Sequence, residues 1–426
     1  MATVSSTSAG TEQIALTALP KISSSSSLAS LLSSEHGAST SSTVCEPIEK
    51  SADDEYTGCG VHSREIAFVD LEPTELNIGS ALGQRDSRTI ECLRINGCRM
   101  DSLTLSALVE DLCCLELPNL HTVDLSKNQL SGSLAGASLA KLMHTAPLVR
   151  TLSLGWNNLS LADLKNLTGP LLANVELLDL RSNPLLVPAH KTTPKSRRRR
   201  SSASTVDASD DSGDMSWVYA LVDSMPALSH VLLAQAKIAD KALITLLDAL
   251  TRSSTSVEYI GLEWLSLGSR LASLGIILQN VASSRHSTSS APLHLNFAAN
   301  NLGDRGMDVI TSSSAVMTSL TLACNFITER GTAMLAKWLP KSGLLSLDLS
   351  DNHFGDQGIA SLVTTHDGNM PDTHYTRIKS LGLNSCCLSD ASLRIFADAL
   401  LCHWAPLESL RILRNSRMSP GAKVSM

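Results

Sequence analysis

Aromatic side chains are scarce in this chain. It has five Trp, four Tyr and five Phe in 426 residues, although 43% of its residues are hydrophobic. A core must therefore be built from Leu, Ile, Val and Ala, and a catalytic pocket rich in aromatics is not expected. Positive charge is not in excess either. The net charge of −7 offers no overall basic field for nucleic acid. No apolar run approaches the roughly 18 residues that span a bilayer, so no membrane segment is expected.

The opening stretch MATVSSTSAG lacks a charged region followed by an apolar one, so it does not read as a secretory signal. A Ser-rich organelle transit peptide is a second reading. It is disfavoured because no Arg precedes Arg64 and Glu12 interrupts the stretch. Ten cysteines are present without a C-x-x-C pair, which points away from zinc and towards a reducing compartment. The phosphate-loop, nucleophile-elbow and H-E-x-x-H motifs are all missing. These absences predict no catalytic residue, no cofactor, no metal site and no small-molecule substrate. In that setting the glycosylation sequons at Asn158 and Asn166 have no use.

What is present is a repeated phrase. In LLSLDLSDNHF, apolar residues fall at Leu344, Leu347, Leu349 and Phe354, with Asn352 between them. Met317, Leu320, Leu322, Asn325 and Ile327 copy the spacing upstream, and Ile378, Leu381, Leu383, Cys386 and Leu388 copy it downstream. Leu347 and Leu349 alternate with Ser346, Asp348 and Ser350, which predicts a short strand with one apolar and one wet face. The Asn amide suits the turn that follows and would form a ladder if the units stack. Cys98 and Cys386 stand at the same place.

A helix should follow each strand, as in the segment from Ile327 through Gly331, Leu335 and Leu339. Gly306, Gly331 and Gly358 recur inside these helices. Glycine there costs about 1 kcal/mol against Ala, so its recurrence predicts close approach to a neighbouring helix.

This template resembles the leucine-rich repeat, and its strand-plus-full-helix unit resembles the ribonuclease-inhibitor-like class. The resemblance runs from about Ile66 to the C-terminus. It implies an α/β solenoid of about twelve repeats, with a curved parallel sheet on the concave face and helices on the convex face. Twelve strands at about 4.8 Å would make a sheet on the order of 50 Å long. Units are expected to start near Ile66, Ile90, Leu120, Val149, Val175, Leu228, Val257, Pro292, Met317, Leu344, Ile378 and Leu407. The first unit, framed on Ile66, Val69 and Leu71, is expected to be an N-terminal cap. The last is expected to lose its register, with Arg417 where an apolar residue belongs.

Residues 1–60 are Ser/Thr-rich and read as a disordered tail, with the repeat domain at 61–426. The spacing from Val175 to Leu228 is nearly double the normal period. Its excess, 188–215, reads as a disordered loop that is basic and then acidic. Lys195, Arg197, Arg198, Arg199 and Arg200 resemble a nuclear localisation signal, and Ser201 and Ser202 follow four arginines as basophilic kinases prefer. The plain alternative is a solvated loop whose charges balance. Smaller insertions are expected at 282–290 and 364–376. His366, Asp367, Asp372 and His374 fall in the second of these and read as solvated side chains, without metal-ligand spacing. Ala236 and Leu265 replace the ladder Asn in two successive units, which predicts altered curvature or mobility there.

The concave face should carry the acids Asp70, Glu72, Asp124, Asp179, Glu263, Asp348 and Asp351 and the aromatics Phe68, Trp156, Tyr259 and Trp264. Arg94 and Arg181 are its basic exceptions. Solenoids commonly bind on this face. The expectation is therefore a non-catalytic interaction scaffold that takes a protein partner, a basic one by charge, with Trp156 and Trp264 as anchors. The bland alternative is an ordinary solvated face.

The repeats are also similar to those of the Ran GTPase-activating protein, which would make a small GTPase the partner. That family's long acidic C-terminal tail is missing, however, since the sequence ends GAKVSM. The repeats resemble as well the sensing region of NOD-like receptors, which implies a stand-alone sensor. Location is expected to be cytoplasmic, with nuclear import the alternative if the basic run is used.

Overall fold

A computed structural model describes residues 58–60, 64–82, 86–167, 172–185, 215–252, 257–284, 292–363, 377–402 and 407–419. They form one 13-stranded sheet whose strands lie in sequence order. The strands are β1 (Gly58–Gly60), β2 (Glu65–Val69), β3 (Cys92–Asn96), β4 (Thr122–Asp124), β5 (Thr151–Ser153), β6 (Leu177–Asp179), β7 (His230–Leu232), β8 (Tyr259–Gly261), β9 (His294–Asn296), β10 (Ser319–Thr321), β11 (Ser346–Asp348), β12 (Ser380–Gly382) and β13 (Ser409–Arg411). All neighbouring pairs from β2 to β13 are parallel, and β1 pairs antiparallel with β2. The strand order and the alternation with helices are those of the leucine-rich-repeat fold.

Among the described residues ten α-helices lie between the strands: α1 (Ile78–Leu82), α2 (Ser102–Cys113), α3 (Gly132–Thr145), α4 (Ser216–Asp223), α5 (Asp240–Arg252), α6 (Leu271–Ser284), α7 (Gly303–Ser312), α8 (Glu329–Ser342), α9 (Gly355–Val363) and α10 (Asp390–Cys402), while a 3-10 helix, Leu161–Asn166, stands between β5 and β6. Local sequence sets their ends. Asp101 caps α2 by accepting a hydrogen bond from the Thr104 amide at 2.8 Å. Leu105, Leu108, Val109 and Leu112 of α2 then bury one stripe. One continuous core of such residues fills the space between sheet and helices.

The Asn ladder forms as the spacing predicts. The Asn352 side chain accepts from the amides of Asn325 and Ile327, each at 3.0 Å, and donates to the Leu322 and Leu349 carbonyls at 2.9 Å. Cys98 and Cys386 make a weaker rung, each donating Sγ–H to a carbonyl of the preceding unit, Phe68 O at 3.4 Å and Leu349 O at 3.3 Å. Burial pushes the Cys386 thiol up to about 12.

Four sequence expectations need correction. The first repeat is framed three residues earlier than Val69 suggests: Ile66 pairs with Leu93, at the place Leu347 takes in its own unit. Phe68 is therefore buried in the core and is not on the concave face. In the last repeat the register holds through Asn415 and slips by one residue after it, in keeping with the expectation. Asn415 still accepts from the Cys386 amide at 2.8 Å, and buried Met418 supplies the apolar contact one residue beyond exposed Arg417.

The third correction concerns the helical glycines. A Cβ on Gly306 would strike Leu302, and one on Gly358 would strike Phe354, the apolar residues of their own units. Of the three, Gly331 is the one with a neighbouring helix among its nearest atoms, through Asp304 of α7. Fourth, Ala282 is no part of a loop but the buried end of α6.

The broken ladder at Ala236 and Leu265 leaves the strand pairing intact through β7 and β8. Arg270 spans the break. Its guanidinium donates to the carbonyls of Leu265 at 2.6 Å and Ile238 at 2.9 Å and to Asp240 at 2.8 Å. The 1–60 segment contributes β1 with its last three residues. Residues 1–57, nearly all of the 188–215 insertion and the stretch 364–376 lie outside the described residues.

Candidate interaction surface

Each parallel strand turns its second residue into the core, so the residues before and after that one face away from the helices. The residues three and four after it carry this open face onward. At the fourth place the chain turns left-handed in all twelve units, from Trp156 at φ 53° to Gly97 at 73°. Most residue types resist this conformation. Both Trp156 and Trp264 (φ 59°) occupy it, three strands apart, or about 14 Å along the sheet.

These two indoles bound one shallow pocket. Arg181, Ala234 and Glu263 form its floor, and Ser182 and Gln235 its rim, with the Ser182 hydroxyl donating to Gln235 Oε1 at 3.0 Å. Trp156 has its own cations. Lys127 Nζ lies 5.9 Å from its ring centroid and the Arg181 guanidinium carbon 4.6 Å. Arg181 in turn grips Asp179 twice, Nε to Oδ1 at 3.0 Å and the NH2 nitrogen to Oδ2 at 2.9 Å. Trp264 is 58% exposed, and no cation lies over it among the described residues.

Behind Trp264 is a polar cluster. Tyr259 donates its hydroxyl to Glu263 Oε1 at 3.3 Å, and Asn296 Nδ2 donates to the Tyr259 oxygen at 2.9 Å and to Glu263 Oε1 at 2.5 Å. Glu263 Oε2 is buried without a hydrogen-bond partner. Burial, aided by Asp179, raises the Glu263 carboxyl above its ordinary range, and burial raises the Tyr259 phenol strongly. His230 stacks on Tyr259 with ring centroids 5.9 Å apart, and His294 meets it edge-on at 4.8 Å. Burial lowers both imidazoles, His294 to about 4.

Six of the eight expected partner-binding residues thus meet here: Trp156, Asp179, Arg181, Tyr259, Glu263 and Trp264. Asp124 and Asp348 lie on the flanks, each beside an arginine. Arg94 reaches Asp124 at 3.6 Å and Glu65 at 2.9 Å, and Arg411 reaches Asp348 at 3.1 Å. Arginines thus balance three of the acids that composition alone would leave free. Asn296, His230, His294 and Gln235 were not among the expected residues, although their places in the repeat put them on this face. The basic run with Lys195, Arg197, Arg198, Arg199 and Arg200, and the serines Ser201 and Ser202, lie outside the described residues. Among the described residues no group of three His, Cys, Asp or Glu could hold a metal, and no helix is long and apolar enough to cross a membrane.

Comparison with known proteins is short. A family profile described as Leucine Rich repeat matches residues 344–363. No curated protein matches the chain. Matches to solved structures include a chain in the crystal structure of the Arabidopsis receptor kinase HAESA in complex with the peptide hormone IDA and the co-receptor SERK1. That match has 15% identity and a TM-score of 0.26, and it covers 71% of this chain but only 35% of that one.

Proposed function

We propose that this leucine-rich-repeat protein is a non-catalytic scaffold that binds a protein partner on the open face of its sheet. One observation carries the reading. In a chain with five tryptophans, two of them bound a single pocket on that face. Trp is the residue most often found to dominate binding energy at such contacts. The site residues of this proposal are Trp156, Asp179, Arg181, Tyr259, Glu263 and Trp264, with Asp124 and Asp348 as rim charges.

Several finer assignments belong to the same reading. Full helices of 12–14 residues in α2, α3, α5, α6 and α8 favour the ribonuclease-inhibitor-like class. The domain runs from residue 61 to 426, preceded by a tail at 1–60 and interrupted by an insertion at 188–215. The protein acts in the cytoplasm. A GTPase activator is the weaker reading, since no motif on this face carries an activating role and Arg94, the concave-face arginine of an early repeat, is held by Glu65 and Asp124.

The test is affinity capture followed by mass spectrometry, comparing wild type with Trp156→Ala/Trp264→Ala after circular dichroism shows both folded. Loss of a specific partner from the variant is expected. Identical partners for both forms would overturn the site. Purified small GTPases, assayed for stimulated GTP hydrolysis, separate the activator: stimulation would displace the scaffold.

A further inference from the structure

The open face carries one aromatic–cation–carboxylate unit that is complete and a second that lacks its cation. In the complete one, Trp156 follows β5, and the next strand supplies both other groups. Asp179 Oδ1 accepts the Arg181 amide at 3.0 Å, and the Arg181 side chain folds back onto Asp179 while covering Trp156. In the second, Trp264 follows β8. The next strand makes the same turn, with Asn296 Oδ1 accepting the Ala298 amide at 3.0 Å. Ala298 thus stands where Arg181 stands, and it has no side chain to lay over the indole. The carboxylate is present, supplied by Glu263, with one buried oxygen unpartnered. The remaining elements of the unit, an exposed indole face and the pocket beside it, are also in place.

We propose that the pocket between Trp156 and Trp264 takes an arginine side chain of the partner, whose guanidinium lies over Trp264 and pairs with Glu263. The inference rests on the scaffold reading and names the chemistry it would recognise. A planar guanidinium suits this site because it can stack on an indole while donating in its own plane. Trp156 cannot serve as the anchor for the same group, since Arg181 already lies over it. The guest would do for Glu263 what Arg181 does for Asp179.

The test uses the full chain, labelled with nitrogen-15, and reads the Trp264 indole N–H resonance, assigned by its loss in Trp264→Phe. The probes are acetyl-Gly-Arg-Gly-amide and its citrulline counterpart, which keeps the shape and removes the charge. The arginine peptide is expected to shift Trp264 saturably and to bind about tenfold more tightly than the citrulline peptide. Glu263→Gln should remove most of that preference.

Ala298→Arg supplies the missing cation from within. It should move the Trp264 resonance without peptide and block the site. The Trp156 resonance reports that each variant is folded. Equal binding of the two peptides, or undiminished binding to Ala298→Arg, would overturn the proposal. If the peptides bind equally while Trp156→Ala/Trp264→Ala still loses its captured partner, the scaffold stands and only the arginine assignment falls.

Discussion

The carboxylate of Asp348 lies over Gly382, its partner in register on the next strand, in the space a side chain there would fill. Arg411, in register on the strand beyond, crosses Gly382 to reach Asp348 at 3.1 Å. The glycine lets two charges from strands β11 and β13 meet across β12. Carboxylates also occupy the space beside two other glycines. A Cβ on Gly155 would stand 3.2 Å from both carboxylate oxygens of Asp179, and one on Gly261 2.9 Å from Glu263 Oε2.

Gly382→Ala should therefore cost stability where Ala in a strand would ordinarily add it. The loss expected is about 1 kcal/mol, the scale of a partly exposed ion pair. In an Asp348→Ala background the cost should vanish, because nothing then occupies the space. Urea denaturation of the four proteins of this cycle measures the coupling. An equal cost in both backgrounds would mean that the carboxylate is not what the glycine accommodates.

Arg270→Met should destabilise the protein by about 2–3 kcal/mol, since it strips donors from two inward-facing carbonyls. Leu265→Asn, which rebuilds a ladder rung, should soften that loss in the double variant. Denaturant midpoints at constant m-value decide it. A double variant no better than Arg270→Met would separate the arginine from the ladder.

Asn352 is fully buried and satisfies amides and carbonyls of two units. Its replacement by Ala should cost about 2–4 kcal/mol. Asn352→Cys should cost visibly less, because Cys98 and Cys386 already fill this place with one Sγ–H bond each to the preceding unit. Equal melting temperatures for the two variants would contradict the thiol's part in the ladder.

His294 titrates near 4 in the folded chain and near 6.5 unfolded. The unfolded state then binds the extra proton first. Stability from this group is complete above pH 6.5 and is lost as pH falls through 6.5 towards 4, by up to about 3 kcal/mol. Glu263 acts in the opposite sense, because its carboxyl is raised in the fold and its protonation at low pH favours the folded state. Thermal melts from pH 7 to pH 4 should therefore fall less steeply for His294→Gln than for wild type. Parallel curves would place the imidazole in water.

Much of this architecture is legible in the residues. The spacing of Leu344, Leu347, Leu349 and Asn352 encodes a strand, a turn and a ladder position within one short segment, and the ladder bonds follow once like units stack. The first unit misleads because Ile66 satisfies two frames. Val69 and Leu71 complete one and Phe68 the other, and only pairing with β3 distinguishes them. Arg270 was legible only as a charged residue at the head of a helix. That its guanidinium bridges the break depends on Ile238 and Leu265 arriving beside it from separate units.

From the second unit onward the sequence by itself determined which strand residues line the open face, because a fixed register assigns every position of a unit to one side of the sheet. It also determined that Trp156 and Trp264 share a row. The tertiary structure decided which of those residues are free to act. Arg94 and Arg411 satisfy carboxylates one or two strands away, the second across Gly382, whereas Arg181 satisfies Asp179 within its own unit and lies over Trp156 of the unit before. The contacts between units depend on distances that no single repeat contains. That is why Asp124, Asp179 and Asp348 pair with arginines while Glu263, beside Trp264, retains a carboxylate oxygen with nothing to bind.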